Sequence, residues 1–303
     1  MKQLLLVVNP SASSFTGERL RRVQAEISDV NEVTTVWPAS PEESTEAAAD
    51  GAKEGFDIVV AMGGDGTVHH VANGLVGTDT ALAMVPSGTT NVIGRLLGIK
   101  RKNAAAIINQ GNHRSLTVAQ ATIDGSPRSK YGIFAVGAGY DAEVLQAADR
   151  QPASKLSFGS LHYARSALNV LWSEFRKRQP TLRAAAHGRR ADGVAVSVQV
   201  QSSYSFLGPL SLPLGPHRAE GLTVLTARSL DMWAAARLAS RIVARRTAGY
   251  RDGELWSGVD HLVITAEPAA LVQIDGELMG PASLIEVSPA SEPLSVIAPH
   301  LEV

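Results

Sequence analysis

Three short runs place glycines, hydroxyls and an acid directly after apolar stretches, where a chain can gather donors for an anion. In the first, GGDGT at 63–67 follows FDIVVAM and turns into a segment with helical spacing. A strand that ends in such a turn leaves the backbone N–H groups of Gly64, Gly66 and Thr67 available, and the positive end of the following helix adds to them. The result is an anion cradle. No G-x-x-x-x-G-K-[ST] occurs in the chain, so this is not a Walker loop. A second turn, PSGTTN at 86–91, offers Ser87, Gly88, Thr89 and Asn91, and NPSAS at 9–13 offers Asn9 and Pro10 after the first apolar run. Each run alone reads equally well as an ordinary turn. Three of them, converging after neighbouring strands, favour a nucleotide.

The elements that must position these residues can be read from the hydrophobic pattern. QLLLVVN, EVTTVW, FDIVVAM and ALAMVP are strand-like, and helical spacing covers Ser14 to Ile27 and Pro41 to Gly55, the latter with Pro in its first turn and Gly at its end. Strand and helix alternating at this rhythm predict a parallel sheet covered on both faces, with ligands outside the carboxyl ends of its strands. Near residue 114 the texture changes. Alternating residues with Asp124-Gly125 predict a hairpin, TLRAAAH and VAVSVQV read as strands joined across Gly188, and further strands are expected at 221–227, 261–265, 271–275 and 283–287. Helices are expected at 158–178 and 231–247. The predicted architecture is therefore an α/β domain over 1–113 and an antiparallel β-rich domain over 114–303, with the last residues able to pack back on the first domain. A cleft between the two is the default active site.

Two motifs in the second half need sorting. Asp-Gly-Glu occurs at 252–254 and at 275–277, and only the second ends an apolar strand, ALVQI; the first reads as a structural turn. GAGYDA at 137–142 fits the dinucleotide fingerprint G-x-G-x-x-A, but no acid stands ~20 residues onward to hold a ribose. It reads as a structural turn into the cleft.

With 303 residues, 45% of them hydrophobic, the chain can bury a sizeable core. A net charge of −1 argues against nucleic acid as a partner, and the absence of cysteine excludes disulfides and thiolate metal sites and suits a reducing compartment. No uncharged apolar stretch approaches the ~20 residues of a membrane span, and the opening MKQLLLVVNP is too brief for a signal peptide. A cytoplasmic location follows as the expectation. The bland net charge conceals a polarised distribution, with sixteen Lys and Arg against four acids in 150–251, then nine acids and no Lys or Arg in 252–303. Arg237, Arg241 and Arg245 share one helix face. That face suits either anionic lipid headgroups or internal pairing with the acidic tail.

NPSAS, GGDGT, PSGTTN, GAGYDAEV, KLSFGSLHY and IDGE occur in the order found in the diacylglycerol kinase catalytic-domain family, which includes bacterial lipid kinases and sphingosine kinases, and the chain resembles that family over nearly its whole length. GGDGT is shared with NAD kinases, so it marks the superfamily, while the later motifs mark the lipid branch. The resemblance implies ATP and Mg²⁺ as cofactors and a lipid hydroxyl at a membrane surface as acceptor. It also implies peripheral attachment to the inner membrane face, and a homodimer is an assembly compatible with it. Phosphoryl transfer is mostly positioning and charge neutralisation. By resemblance Asp65 serves the Mg²⁺ and phosphate network, Gly63, Gly64, Gly66, Thr67, Ser87, Gly88 and Thr89 cradle the nucleotide, and Asn9, Pro10 and Asn91 shape its pocket. Glu277 is the implied general base, and Gly139, Asp141, Asp275 and Gly276 are expected to line the substrate cleft.

The chain also departs from the family. His69-His70 stands where Asn-Glu usually follows GGDGT, Val92 stands where Asp usually follows GTxN, and HRAEGLTVL is one residue shorter than the family's Asp-Gly-x-Leu segment. Adjacent histidines point in different directions on a helix, so a paired metal site at 69 and 70 is not expected. Three readings follow: an active lipid kinase, a degenerate member that binds nucleotide or lipid without efficient transfer, and an NAD kinase, which leaves the later motifs unexplained.

Overall fold

A computed structural model describes residues 1–149, 179–200, 203–207, 210–213, 221–230, 237 and 252–299. The KLSFGSLHY run, the helix expected at 158–178, the helix expected at 231–247 apart from Arg237, and the start of HRAEGLTVL lie outside them. The chain divides into two compact units, Met1–Thr117 with Ser291–Val303, and Val118–Ala290.

The first unit is built on the strands β1 (Lys2–Val8), β2 (Asn31–Val36), β3 (Ile58–Gly63), β4 (Ala81–Pro86) and β5 (His113–Leu116), with β18 (Leu294–Ile297) from the far end of the chain. Their order across the sheet is β2-β1-β3-β4-β18-β5, parallel throughout except for the antiparallel β18–β5 pair. β3 and β4 are buried at every position, which explains why their sequences read as unbroken apolar runs rather than as alternation. The helices are α1 (Gly17–Ser28), α2 (Pro41–Lys53), α3 (Asp65–Leu75), α4 (Val92–Leu96) and α5 (Ala104–Gln110). α1 starts three residues later than the apolar spacing suggests because Thr16 is extended and its hydroxyl accepts from the amide of Arg19, an N-cap. Its buried Leu20, Val23 and Ile27 form one stripe. Ser40 caps α2 in the same way, with Pro41 in the first turn. α2 and α3 pack so closely at Gly74 that a Cβ there would lie 2.4 Å from the carbonyl oxygen of Thr45.

The second unit is an antiparallel sheet formed by β6 (Ala119–Ile123), β7 (Lys130–Gly132), β8 (Ala135–Gly139), β9 (Leu182–Ala186), β10 (Arg189–Gly193), β11 (Ala195–Gln199), β14 (Leu222–Ala227), β15 (Gly253–Val259), β16 (Leu262–Ile274) and β17 (Glu277–Pro289). A separate hairpin pairs β12 (Ser203–Leu207) with β13 (Leu210–Pro213). One sheet face holds a core that includes Val136, Val196, Val198, Val224, Trp256, Ile264 and Ile274. α6 (Tyr140–Asp149) follows β8, and its Val144 packs with Val194, Ala195, Ala227 and Leu230.

Several strand expectations change. TLRAAAH pairs not with VAVSVQV but with β10, across the left-handed pair His187-Gly188 (φ 49° and 75°). Arg189-Arg190-Ala191-Asp192 carries no apolar alternation, so its strand character comes from the two-residue turn alone. VAVSVQV pairs with β8 and β14 instead. The strands expected at 261–265 and 271–275 are one strand, β16, with a register irregularity between Thr265 and Ala270. The first Asp-Gly-Glu enters β15, which the sequence pattern did not announce. The expected border at 113/114 falls at 117/118, because β5 lies in the first sheet against β18.

Candidate functional site

Within the first unit the three glycine- and hydroxyl-bearing runs meet at the carboxyl ends of β1, β3 and β4. The amide of Ser87 donates to the Gly63 carbonyl (2.7 Å) and that of Ser14 to the Ser87 carbonyl (2.9 Å). Asn9 Nδ2 donates to Thr67 Oγ1 (3.0 Å), and the hydroxyls of Ser13 and Thr89 are 2.8 Å apart. Arg101 fastens the outer runs, its Nη2 lying 2.8 Å from both Ser14 Oγ and the Gly88 carbonyl. Two glycine turns touch directly: a Cβ on Gly88 would lie 2.7 Å from Gly64 Cα. Under this contact only glycine keeps the runs together.

The individual roles differ from one another. Gly64 caps α3, whose first intrahelical donor is the Val68 amide, bonded to the Gly64 carbonyl at 3.1 Å. The amides of Gly66 and Thr67 precede it in the first turn, where an anion meets both N–H dipoles and the helix end. Ser87 stands behind the cradle rather than in it, as a residue 0% exposed whose amide serves Gly63 and whose hydroxyl donates to the Val85 carbonyl. Asn91, in a left-handed conformation, closes the second turn by accepting from the Gly88 amide (2.9 Å) and donating to the Gly88 carbonyl (2.7 Å). Asn9 Oδ1 accepts from the Ser11 amide, which turns the exposed Pro10 outward.

Asp65 opens α3. Its Oδ1 accepts from the Ile93 amide (3.1 Å) and its Oδ2 from Thr90 Oγ1 (3.3 Å). Burial nevertheless holds its carboxyl above the ordinary range, with the Val92 and Ile93 amides, Thr90 and the charge of Arg95 opposing that rise. The backbone of Val92, the residue that replaces the second acid, thus faces Asp65 as a donor. His69 is 1% exposed, its ring edge-on to that of His70 at 5.2 Å, and His70 lies against Thr45 of α2. Among the described residues no group of three His, Cys, Asp or Glu could hold a metal. Mg²⁺ needs only one or two protein carboxylates when phosphates supply the rest, and Asp65 is the carboxylate at this turn, with both oxygens already accepting protein donors.

In the second unit, Asp275-Gly276 is the two-residue turn between β16 and β17, with φ 53° and 86° and Ile274 paired to Glu277. Asp275 is 2% exposed, and its carboxylate accepts from the amides of Ile133 (2.6 Å), Phe134 (2.9 Å) and Ala135 (3.1 Å). Gln273 Oε1 accepts from the Gly276 amide at 2.8 Å. Asp275 and Gly276 therefore fix the turn that presents Glu277, the first residue of β17. At Gly139 (φ 80°) a Cβ would lie 2.4 Å from the Val194 carbonyl, so the β8–α6 bend requires glycine. Asp141, next along, is held above its ordinary pKa by burial, with a hydrogen bond from Ser197 opposing the rise. Asp252 of the other Asp-Gly-Glu accepts both Nε and Nη2 of Arg237 (2.8 and 2.9 Å), and Glu254 accepts from Trp256 Nε1 (2.8 Å). That motif is structural.

Comparison with known proteins places this geometry. Residues 3–121 match the model of the diacylglycerol kinase catalytic domain. A diacylglycerol kinase of Bacillus subtilis is 30% identical over 178 residues, covering 56% of this chain and 56% of its own length. One from Mycobacterium tuberculosis is 33% identical over 100 residues, 32% of each chain. The crystal structure of a diacylglycerol kinase from Bacillus anthracis superposes over 100% of this chain and 99% of its own, with a TM-score of 0.75 at 18% identity. An NAD kinase from Archaeoglobus fulgidus, solved in complex with ATP, covers 98% and 93% with a TM-score of 0.55 at 12% identity. The two structures share the fold: an N-terminal α/β unit with a mostly parallel sheet and an antiparallel C-terminal unit. Over residues 3–121 the chain is thus similar in sequence to the diacylglycerol kinase catalytic domain, and over its whole length it shares the fold of that kinase and of the NAD kinase.

Proposed function

We propose that the protein transfers the γ-phosphoryl group of ATP to a hydroxyl of a diacylglycerol-like or sphingoid-like lipid. The observation that carries this reading is the meeting of the three runs at the first turn of α3, inside the segment that matches the kinase family. In this reading the amides of Gly66 and Thr67 bind phosphate oxygens, the hydroxyls of Ser13, Thr67 and Thr89 border the same opening, and Asp65 orients the Mg²⁺ that the phosphates bring. Bound Mg²⁺ supplies neutralisation of the charge that develops on the phosphates. Glu277 accepts the proton of the lipid hydroxyl; that oxygen bonds to the γ-phosphorus as the bond to the β–γ bridging oxygen breaks, and ADP leaves. The lipid acceptor brings the protein to a membrane surface.

A second reading is favoured by one observation. The Val92 and Ile93 amides occupy Asp65 where the family usually supplies another acid, a change that suits a member which binds nucleotide but transfers slowly. Radiolabelled ATP with Mg²⁺, a panel of lipids and NAD separates these. Labelled lipid from the wild type, lost in Glu277→Gln and Asp65→Asn, is the expected outcome. Bound ATP with no labelled lipid supports the second reading, and labelled NAD in place of lipid overturns both.

A further inference from the structure

We infer that Trp37, with Phe15 behind it, is the stacking surface for the purine base of the nucleotide; this rests on the nucleotide site proposed above. Trp37 follows the carboxyl end of β2 and is 51% exposed, one of three large hydrophobic residues among the described ones to show so much surface. Phe15 meets it edge-on, with ring centroids 6.2 Å apart. Phe15 is next to Ser14, whose amide donates to Ser87, so the aromatic pair is continuous with the loops that form the cradle.

The sheet order sets the distance. β1 separates β2 from β3, so Trp37 lies two strand spacings, about 10 Å, from the strand that leads into the first turn of α3. That is a span an extended nucleotide bridges between its phosphates and its base. The platform is also pre-organised. Trp37 precedes Pro38, which restricts it to extended conformations, and Pro41 begins α2 under the Ser40 cap. Glu43 Oε2 accepts from the Ala39 amide at 2.7 Å and pins the intervening residues. A ring carried on a backbone fixed in this way, with Phe15 against it, has less freedom to lose when a base settles on it. Every base has a π face, so such a surface adds affinity and tolerates different bases.

The test compares the wild type, Trp37→Ala and Trp37→Phe by calorimetric titration with ATP and, separately, with inorganic tripolyphosphate. Loss of a base–aromatic stack weakens ATP by about tenfold or more in Trp37→Ala, while Trp37→Phe stays near the wild type. Tripolyphosphate binding is expected to be equal in all three. Tryptophan fluorescence that falls on adding ATP to the wild type, and not in Trp37→Phe, which keeps the other three tryptophans, gives a second readout. Unchanged ATP affinity in Trp37→Ala overturns the inference and leaves the nucleotide site standing; so does an equal loss of tripolyphosphate, which marks distorted loops. A wild type that binds neither ligand overturns the nucleotide reading, and this inference with it.

Discussion

Asp275 shows how much one carboxylate can hold. It accepts three buried backbone N–H groups, and each buried donor left unpaired costs roughly 1–3 kcal/mol. Asp275→Ala should therefore destabilise the protein by about 3 kcal/mol or more in denaturant melts, with Asp275→Asn recovering part of the loss. Asp65 makes a different prediction. Its carboxyl is held above the ordinary 3.8 by burial, so the folded chain binds that proton more tightly than the unfolded chain does. Its effect on stability is most favourable below that value and fades as pH rises through the window up to the folded-state pKa. Asp65→Asn does not titrate, so its stability relative to the wild type should climb across that window; a difference that stays flat with pH would show that the carboxylate is well solvated. The sequence placed Asp65 in a glycine turn at the start of a helix, and it does open α3 there. It could not show that Ser87 faces inward or that Asp275 is an anchor, since both depend on which partners the chain brings from far away. Trp37 belongs to no motif and gave no signal at all.

At the scale of elements, glycine-tight contacts decide the geometry. Gly88→Ala puts a methyl group 2.7 Å from Gly64 Cα, so one turn must move away from the other. The expected outcome is weaker ATP binding by tenfold or so, an effect of about 1.4 kcal/mol, with a nearly unchanged melting temperature. If affinity holds, the touching of the turns is irrelevant to the ligand. Gly74→Ala should act the other way round, forcing α2 from α3 and costing about 1–3 kcal/mol of stability. β3 and β4 were readable because fully buried parallel strands carry no polar residue to blur them. β10 and β15 were not, because Arg189 to Asp192 and Gly253 to Val259 mix polar and apolar residues, and their pairing is set by turns and neighbours rather than by their own pattern.

For the whole molecule, the polarised charge resolves in part into internal pairing, as Arg237 of the basic stretch is held by Asp252 of the acidic one. The first unit also depends on the end of the chain. Deleting residues 291–303 removes β18 from between β4 and β5, and should lower the thermal transition of that unit and expose its sheet to protease, as followed by circular dichroism and limited digestion; an unaltered melt would mean that β4 and β5 close on each other unaided. The arrangement bears on how the protein is made. A ribosome delivers β1 to β5 early, yet the strand that completes their sheet is encoded some 180 residues further on. Until it emerges, β4 offers a bare backbone edge to its surroundings, a templating hazard for other nascent chains. Production of this protein should therefore gain from slow synthesis or a holdase, and a tag fused to its last residues falls on the very piece that the sheet awaits.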